Sequence, residues 1–499
     1  MTVYGRAIAL LGDRPELAEV AARPFGFDVA GAAYGGSVRL ASGAPLAAVA
    51  GDGRGGTFFV CGAGPVLYAS AGGPAGLVAG SADEALELAI GLPGWHGLLE
   101  LSPAEAGARL SAAAASPGGA VRGPLPGLDA RRSALREALG LPDRSPAELF
   151  ARLHTALLRT EPDHVLLEAA GGRARARLGP HPRPPLRETV LRPGLEDLAR
   201  LREETVRWAE VAGDGARRAT VLRAAQFDRQ DRDLPLLRRL LAAETADAGD
   251  TETGEELRLA AVLVALHGSA DDLPLLRAAR AAQRTGRRGL PEIPERSGEL
   301  AEWARGLGGP GPGDDPAREP ELTWIRLAGK QGRTEHARVA LLRILDAAEE
   351  AGTGERADLL RVLSVELETL GDLSQAARAQ TGYAARVTGV RDRALASRRL
   401  AGLQRRTGDL PAAWRTLRPV PELLDADGAG QRWRQLGLGR MVAAEHFELA
   451  LAAAGAGLAS IARESLAVAG ELHTGMGRSA QRSLGMLAQE TKWAVARLR

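Results

Sequence analysis

The hexapeptide DLPLLR occurs twice, at residues 233–238 and 272–277, an offset of 39 residues. Identity over six positions in register marks a duplicated structural unit. Each copy follows an apolar stretch of helical character, RRATVLRAAQF before the first and EELRLAAVLVAL before the second. Asp followed closely by Pro is a helix-opening signal, so both copies start a helix at the same point of the unit. One helix then the DLPLLR helix makes a pair, and a repeated pair must bury its apolar side against the next pair. Leu236 and Leu275 are therefore expected in matching buried places.

A second series follows the Gly/Pro-rich break GLGGPGPGDDPAREPEL at residues 306–322. GRTEHAR at Gly332, GDLSQAAR at Gly371 and GDLPAAWR at Gly408 recur at offsets of 39 and 37, and GLASIAR at Gly457 continues the pattern. Each copy places Gly at an inter-helix turn and a small Ala five residues later, and two of them add Asp as a helix cap. That combination specifies closely packed helix hairpins. The first series resembles HEAT-like repeats, which have a period near 40 and two helices per unit, and the second resembles the tetratricopeptide repeat. Together they imply a mostly α-helical solenoid.

The first hundred residues differ. They are Gly-rich, with short apolar runs (SVRLA, PLAAVA, TFFVC, PVLYAS, AGLVA) parted by Gly, Asp and Pro, the pattern of antiparallel strands. Within LAAVAGDGRGGTFFVCG, residues 46–62, Gly51, Gly53 and Gly56 have the G-x-G-x-x-G spacing of a dinucleotide loop. That loop needs a helix after its last glycine to hold the phosphates. TFFVC is β-branched and aromatic and ends at the next Gly, so a second strand is expected and the glycines form a hairpin turn. A helix comes later, at SADEALELAIGL, opened by Ser81 with Asp83 and Glu84 in its first turn.

A helical opening, four or five strands and a packing helix make a small α+β domain. The strand ending in PLAAVAGDGRGG, the strands TFFVCG and VLYAS, and the acidic-started helix AGSADEALEL resemble the SUKH superfamily, although no acidic residue follows Tyr68. The resemblance implies an immunity-type or regulatory role, with a toxin or effector protein as partner. Residues 103–132 read as a linker by composition, SPAELFARLHTALLR from Ser145 as a helix, and HVLLEAAGGRARARLG as a hairpin or the edge of the first domain. The expected divisions are 1–115 (α+β), 116–192 (linker, helix and hairpin), 193–290 (HEAT-like) and 291–499 (tetratricopeptide-like).

Composition excludes several classes of function. The 64 basic residues nearly cancel the 62 acidic ones, which disfavours nucleic acid as partner. Only Lys330 and Lys492 are lysines, so the Arg content reflects a GC-rich, bacterial coding bias. The apolar run at residues 7–11 is too short for a secretory core, and residues 449–462 fall short of the ~20 a membrane span needs, so a cytoplasmic location is expected.

No constellation for catalysis, cofactor or metal emerges from spacing. The eight histidines are scattered, and Glu445, His446 and Glu448 read as a polar helix face. Cys61 ends an apolar strand and reads as an inert thiol. The cluster DRQDRD at residues 228–233 alternates acid with Arg and reads as a solvated turn. Tyr68, Trp95 and His96 form the one aromatic group of the type that anchors interfaces, the competing reading being that Trp95 covers the edge of the small core. The expected function is non-catalytic binding of another protein. The alternative is an enzyme whose site is assembled from distant helices.

Overall fold

The computed structural model describes residues 5–32, 36–62, 64–115, 127–169, 171–180, 186–247, 254–282, 290–307, 319–351, 356–426 and 432–498. Two compact units form, one from residues 1–180 with 341–499 and the other from residues 181–340. The units follow neither the division at residue 115 nor those at 192 and 290. The Gly/Pro break at residues 308–318 lies outside the described residues, as do residues 116–126.

The chain opens with helices α1 (Arg6–Asp13) and α2 (Pro15–Ala22), followed by strands β1 (Val38–Leu40), β2 (Leu46–Gly51), β3 (Thr57–Cys61), β4 (Val66–Ala69) and β5 (Ala75–Ala79). Strands β2 to β5 form an antiparallel meander, in sequence order. Successive side chains of a strand point to opposite faces, and here both faces are covered. Phe58, Val60 and Tyr68 face a core built with α1 and α3 (Ala82–Gly91). Phe59, Cys61 and Leu67 face a second, smaller core with Leu40 and Leu166. This is why Phe58 to Cys61 are all apolar and the strand is buried throughout. Ser81 caps α3 by accepting from the Glu84 amide at 3.2 Å.

The stretch expected to be a linker is largely helical. Helices α4 (Pro103–Ala115) and α5 (Leu128–Leu139) flank residues 116–126, and Ala106, Leu110, Leu135 and Leu139 join the core. The reason is a capping box: the Ser102 hydroxyl accepts from the Glu105 amide at 3.3 Å, and Glu105 accepts from the Ser102 amide at 2.8 Å. Ser145 and Glu148 repeat the arrangement at the start of α6 (Pro146–Leu158). Of the expected hairpin, β6 (Leu166–Glu168) pairs antiparallel with β1, and the return arm touches it through a bridge between Leu167 and Ala174.

In the unit of residues 181–340, helices α7 (Leu186–Glu203), α8 (Trp208–Gly213), α9 (Gly215–Phe227), α10 (Leu234–Asp247), α11 (Glu255–Ala265), α12 (Leu273–Ala282) and α13 (Leu300–Gly306) share one apolar cluster, and α14 (Glu321–Lys330) follows them. Both DLPLLR copies begin with a single 3-10 turn that ends at a buried Asp, after which α10 and α12 start. Asp233 receives a two-pronged contact from Arg202, and Asp272 a contact from Arg238. An arginine of the earlier part of the unit thus neutralises each buried carboxylate. Leu237 and Leu276 are both fully buried, whereas Leu236 is buried and Leu275 only half-buried. The matched core position is one residue later than expected.

Helix α15 (Thr334–Glu350) begins the remaining series, which runs through α16 (Ala357–Thr369), α17 (Leu373–Ala384), α18 (Val390–Arg406), α19 (Leu410–Leu417), α20 (Val420–Asp425), α21 (Arg432–Gln435), α22 (Gly437–Gly455), α23 (Ala459–Thr474) and α24 (Arg478–Ala496). Gly332, Gly371, Gly408 and Gly457 share a left-handed backbone, with φ between 71° and 86°. At each, the Gly amide bonds three residues back and the next amide five residues back, closing the preceding helix in the same way. Asp372 and Asp409 cap the helices that follow. Ala337, Ala376, Ala413 and Ala462, each five residues after its Gly, are fully buried, as hairpin packing requires.

Within the first unit, buried Glu161 accepts from Arg177 at 2.7 and 3.0 Å and from Arg343 at 2.7 Å. Gln375 and Arg378 donate to the Gly172 carbonyl at 2.8 and 3.2 Å. These contacts join the segment after α6 to α15 and α17. Glu161 and Gly172 therefore lie in a seam between the α+β layer and the later helices, and both belong to one compact unit.

Candidate functional site

The glycine-rich loop resolves into a turn. Gly51 pairs with Thr57 across β2 and β3, so a strand follows Gly56 and the phosphate-binding geometry is missing there. Asp52 organises the turn: its carboxylate accepts from the amides of Arg54 at 2.7 Å and Gly56 at 2.8 Å and from the Tyr68 hydroxyl at 2.6 Å. Each glycine of the motif has its own reason. Gly53 has φ of 71°, in the left-handed region. A Cβ at Gly56 would lie 2.1 Å from the Tyr68 hydroxyl, and one at Gly51 would lie 2.6 Å from the Gly31 carbonyl oxygen.

Gly51 cannot retreat from that clash. Its amide and carbonyl both bond Asp28, at 2.8 Å each. Gly51→Ala is expected to destabilise the N-terminal layer by about 1–3 kcal/mol, the usual cost of overpacking. Hydrogen exchange at the β2 and β3 amides reads this directly, and protection equal to the parent's would show that the backbone gives way.

The structure corrects the placement of the aromatic group. Tyr68 and Trp95 are 3% and 2% exposed and sit in the core with Phe58, so neither offers a surface to a partner. His96 stacks on Trp95 with ring centroids 3.8 Å apart and is partly exposed, its Nε2 3.6 Å from Asp52. Burial pushes the His96 imidazole down to about 4, against the opposing charge of Asp52. Burial would raise the Asp52 carboxyl, but the hydrogen bonds from Tyr68 and the two amides outweigh it and hold the carboxyl below its ordinary value. Tyr68 is pushed up by burial and by the Asp52 carboxylate it bonds. At neutral pH the group is thus a neutral imidazole, an ionised carboxylate and a phenol donor. It pins the turn to the core.

The other titratable groups are likewise occupied. Burial pushes the Cys61 thiol up to about 12, far from thiolate chemistry at neutral pH. Arg405 holds both Glu445 and Glu448, while His446 Nδ1 meets the Ser465 hydroxyl at 3.1 Å. In the cluster at residues 228–233, Arg202 draws in Asp228 and Asp233, so a turn expected to be solvated contains a buried carboxylate.

Surface character appears instead on the last helix. Leu484, Ala488, Thr491 and Val495 form the buried face of α24. Met486 and Trp493, seven residues apart and hence on one line of the helix, are 87% and 63% exposed. Arg482, Gln489, Glu490 and Arg497 flank them, all exposed. The signal was present in the sequence: helical spacing puts these two large apolar residues opposite the Leu484–Ala488–Val495 stripe. No helix among the described residues is long and apolar enough to cross a membrane. No family model matches the chain, and neither a curated protein nor a solved structure matches it.

Proposed function

We propose that the chain is a non-catalytic, cytoplasmic bacterial protein that binds another protein through its helical repeats. The single observation that carries this reading is the outward pair Met486 and Trp493 on α24. Large apolar side chains rimmed by polar ones on a repeat face mark protein contact, and Trp is enriched among interface anchors. The flanking residues carry two arginines against one glutamate, which suits an acidic partner surface.

In this reading residues 193–290 are HEAT-like and the later helix pairs tetratricopeptide-like, together a solenoid that presents extended binding surface. The α+β layer is SUKH-like, and the partner is a toxin or effector protein. The repeated left-handed glycines with buried alanines, and the paired DLPLLR helices, support the repeat assignment.

The test is co-purification from the native host with quantitative mass spectrometry, comparing the parent chain with Trp493→Ala. Exposure at this site means the substitution should leave stability within about 0.5 kcal/mol. A stoichiometric protein partner recovered with the parent and reduced at least tenfold, about 1.4 kcal/mol, with the variant is the expected result. Equal recovery would remove α24 as the contact, and absence of any stoichiometric partner would overturn the function.

A further inference from the structure

Within the unit of residues 181–340 a cleft of about 310 Å³ opens between α7, α9 and the turn after α14. This is the size of a small-ligand site. Its lining brings three cations, Arg217, Lys330 and Arg333, to one carboxylate, Asp197. Arg217 is held by that carboxylate at 3.1 Å and Lys330 by Glu256. Arg333 pairs with no carboxylate among the described residues.

Arg333 is nonetheless fixed in place. Its Nε donates to the Gln331 side-chain oxygen at 3.1 Å, and the Gln331 side-chain Nε2 donates in turn to the Val190 carbonyl at 2.7 Å and to the Thr220 hydroxyl at 3.2 Å. The left-handed backbone of Gly332 turns the chain so that Gln331 and Arg333 reach the same cleft. A guanidinium anchored through Nε keeps both terminal nitrogens for a ligand, in the fork that matches phosphoryl oxygens. Lys330 adds a compact charge beside it. It is one of only two lysines among the 64 basic residues, in a chain that otherwise writes arginine.

We propose that this cleft binds a phosphate monoester, with Arg333 gripping the phosphoryl group beside Lys330 and Arg217, which share their charge between the ligand and the carboxylates that hold them. A phosphoryl group brings three acceptor oxygens and more charge, enough to engage the Arg333 fork and still reach a neighbouring cation, whereas a carboxylate has two oxygens and is satisfied by Arg333 alone. The phosphoryl group can belong to a free metabolite or to a phosphorylated side chain, and both carry the same chemistry. This inference is independent of the face presented by α24.

Isothermal titration of the full chain with inorganic phosphate, phosphoserine, a phosphoserine peptide and acetate tests it. Phosphate and phosphoserine are expected to bind, and acetate at least tenfold more weakly. Arg333→Gln should lower phosphate affinity at least tenfold with the melting temperature unchanged, and Lys330→Gln should lower it less. A peptide tighter than phosphoserine would identify a protein source, and the reverse a metabolite. No heat with millimolar phosphate, acetate binding as well as phosphate, or unaltered affinity in Arg333→Gln would each overturn the proposal.

Discussion

Asp233→Ala should cost the unit of residues 181–340 about 3–5 kcal/mol, because it strands an arginine in the interior. The Arg202 side chain is 6% exposed and the Asp233 side chain fully buried, and the guanidinium meets both carboxylate oxygens at 2.8 Å. Asp233 also accepts from the Gln230 amide at 2.9 Å, which opens the helix start. Arg202 keeps Asp228 on its outer side, so the loss should fall in the lower half of that range. Asp272→Ala removes the equivalent carboxylate of the second copy, but Arg238 is 36% exposed and can regain water. Its cost should be lower, about 1.5–3 kcal/mol, that of one hydrogen bond to a charged group. Hydrogen exchange of the peptides covering α9 and α10, in the full chain, compares the two. Equal losses would show that burial of the arginine does not set the difference.

The sequence carried local structure well where a single physical rule decided it. TFFVC was legible as a strand because β-branched and aromatic residues fit a pleated surface, and burial on both faces explains why Phe58 to Cys61 are all apolar. The left-handed glycines were legible because no other residue enters that turn at so little cost. The miss at residues 103–132 is instructive. SPAE occurs at both Ser102 and Ser145 and makes the same capping box at each, yet the first copy was masked by the Pro and Gly that follow it.

Tertiary arrangements were less legible, since they depend on partners far apart in the chain. Glu161 meets Arg343 across 182 positions and Gly172 meets Gln375 across 203, and no periodicity links them. Those bonds merge the α+β layer with α15 and α17, which a boundary drawn at a change of composition cannot foresee. The aromatic group left two readings open, interface anchor or cover for the small core, and the burial of Tyr68 and Trp95 agrees with the second. The Tyr68 hydroxyl finds its acceptor inside, at Asp52, which lets the ring be buried. Trp493 could have been found by the same helical spacing that identified the core, read for apolar residues on the wrong face.

The duplication itself predicts how the two DLPLLR helices respond to truncation. Leu237 and Leu276 occupy the same position of the hexapeptide and are both fully buried, so Leu237→Ala and Leu276→Ala should each fall within about 2–5 kcal/mol. Their surroundings separate them within that range. Leu237 is followed by Leu240 and Leu241, both fully buried, whereas the matching positions after Leu276 are the small Ala279 and the exposed Arg280. A cavity walled by large side chains in α10 collapses less, so Leu237→Ala should be the costlier of the two. Leu275→Ala, at the half-buried position, should cost less than either. Local exchange of α9 to α12 amides supplies all three values in the full chain. If Leu276→Ala stayed below about 0.5 kcal/mol, the level of surface changes, while Leu237→Ala showed its full effect, the identical hexapeptides would not be equivalent structural units.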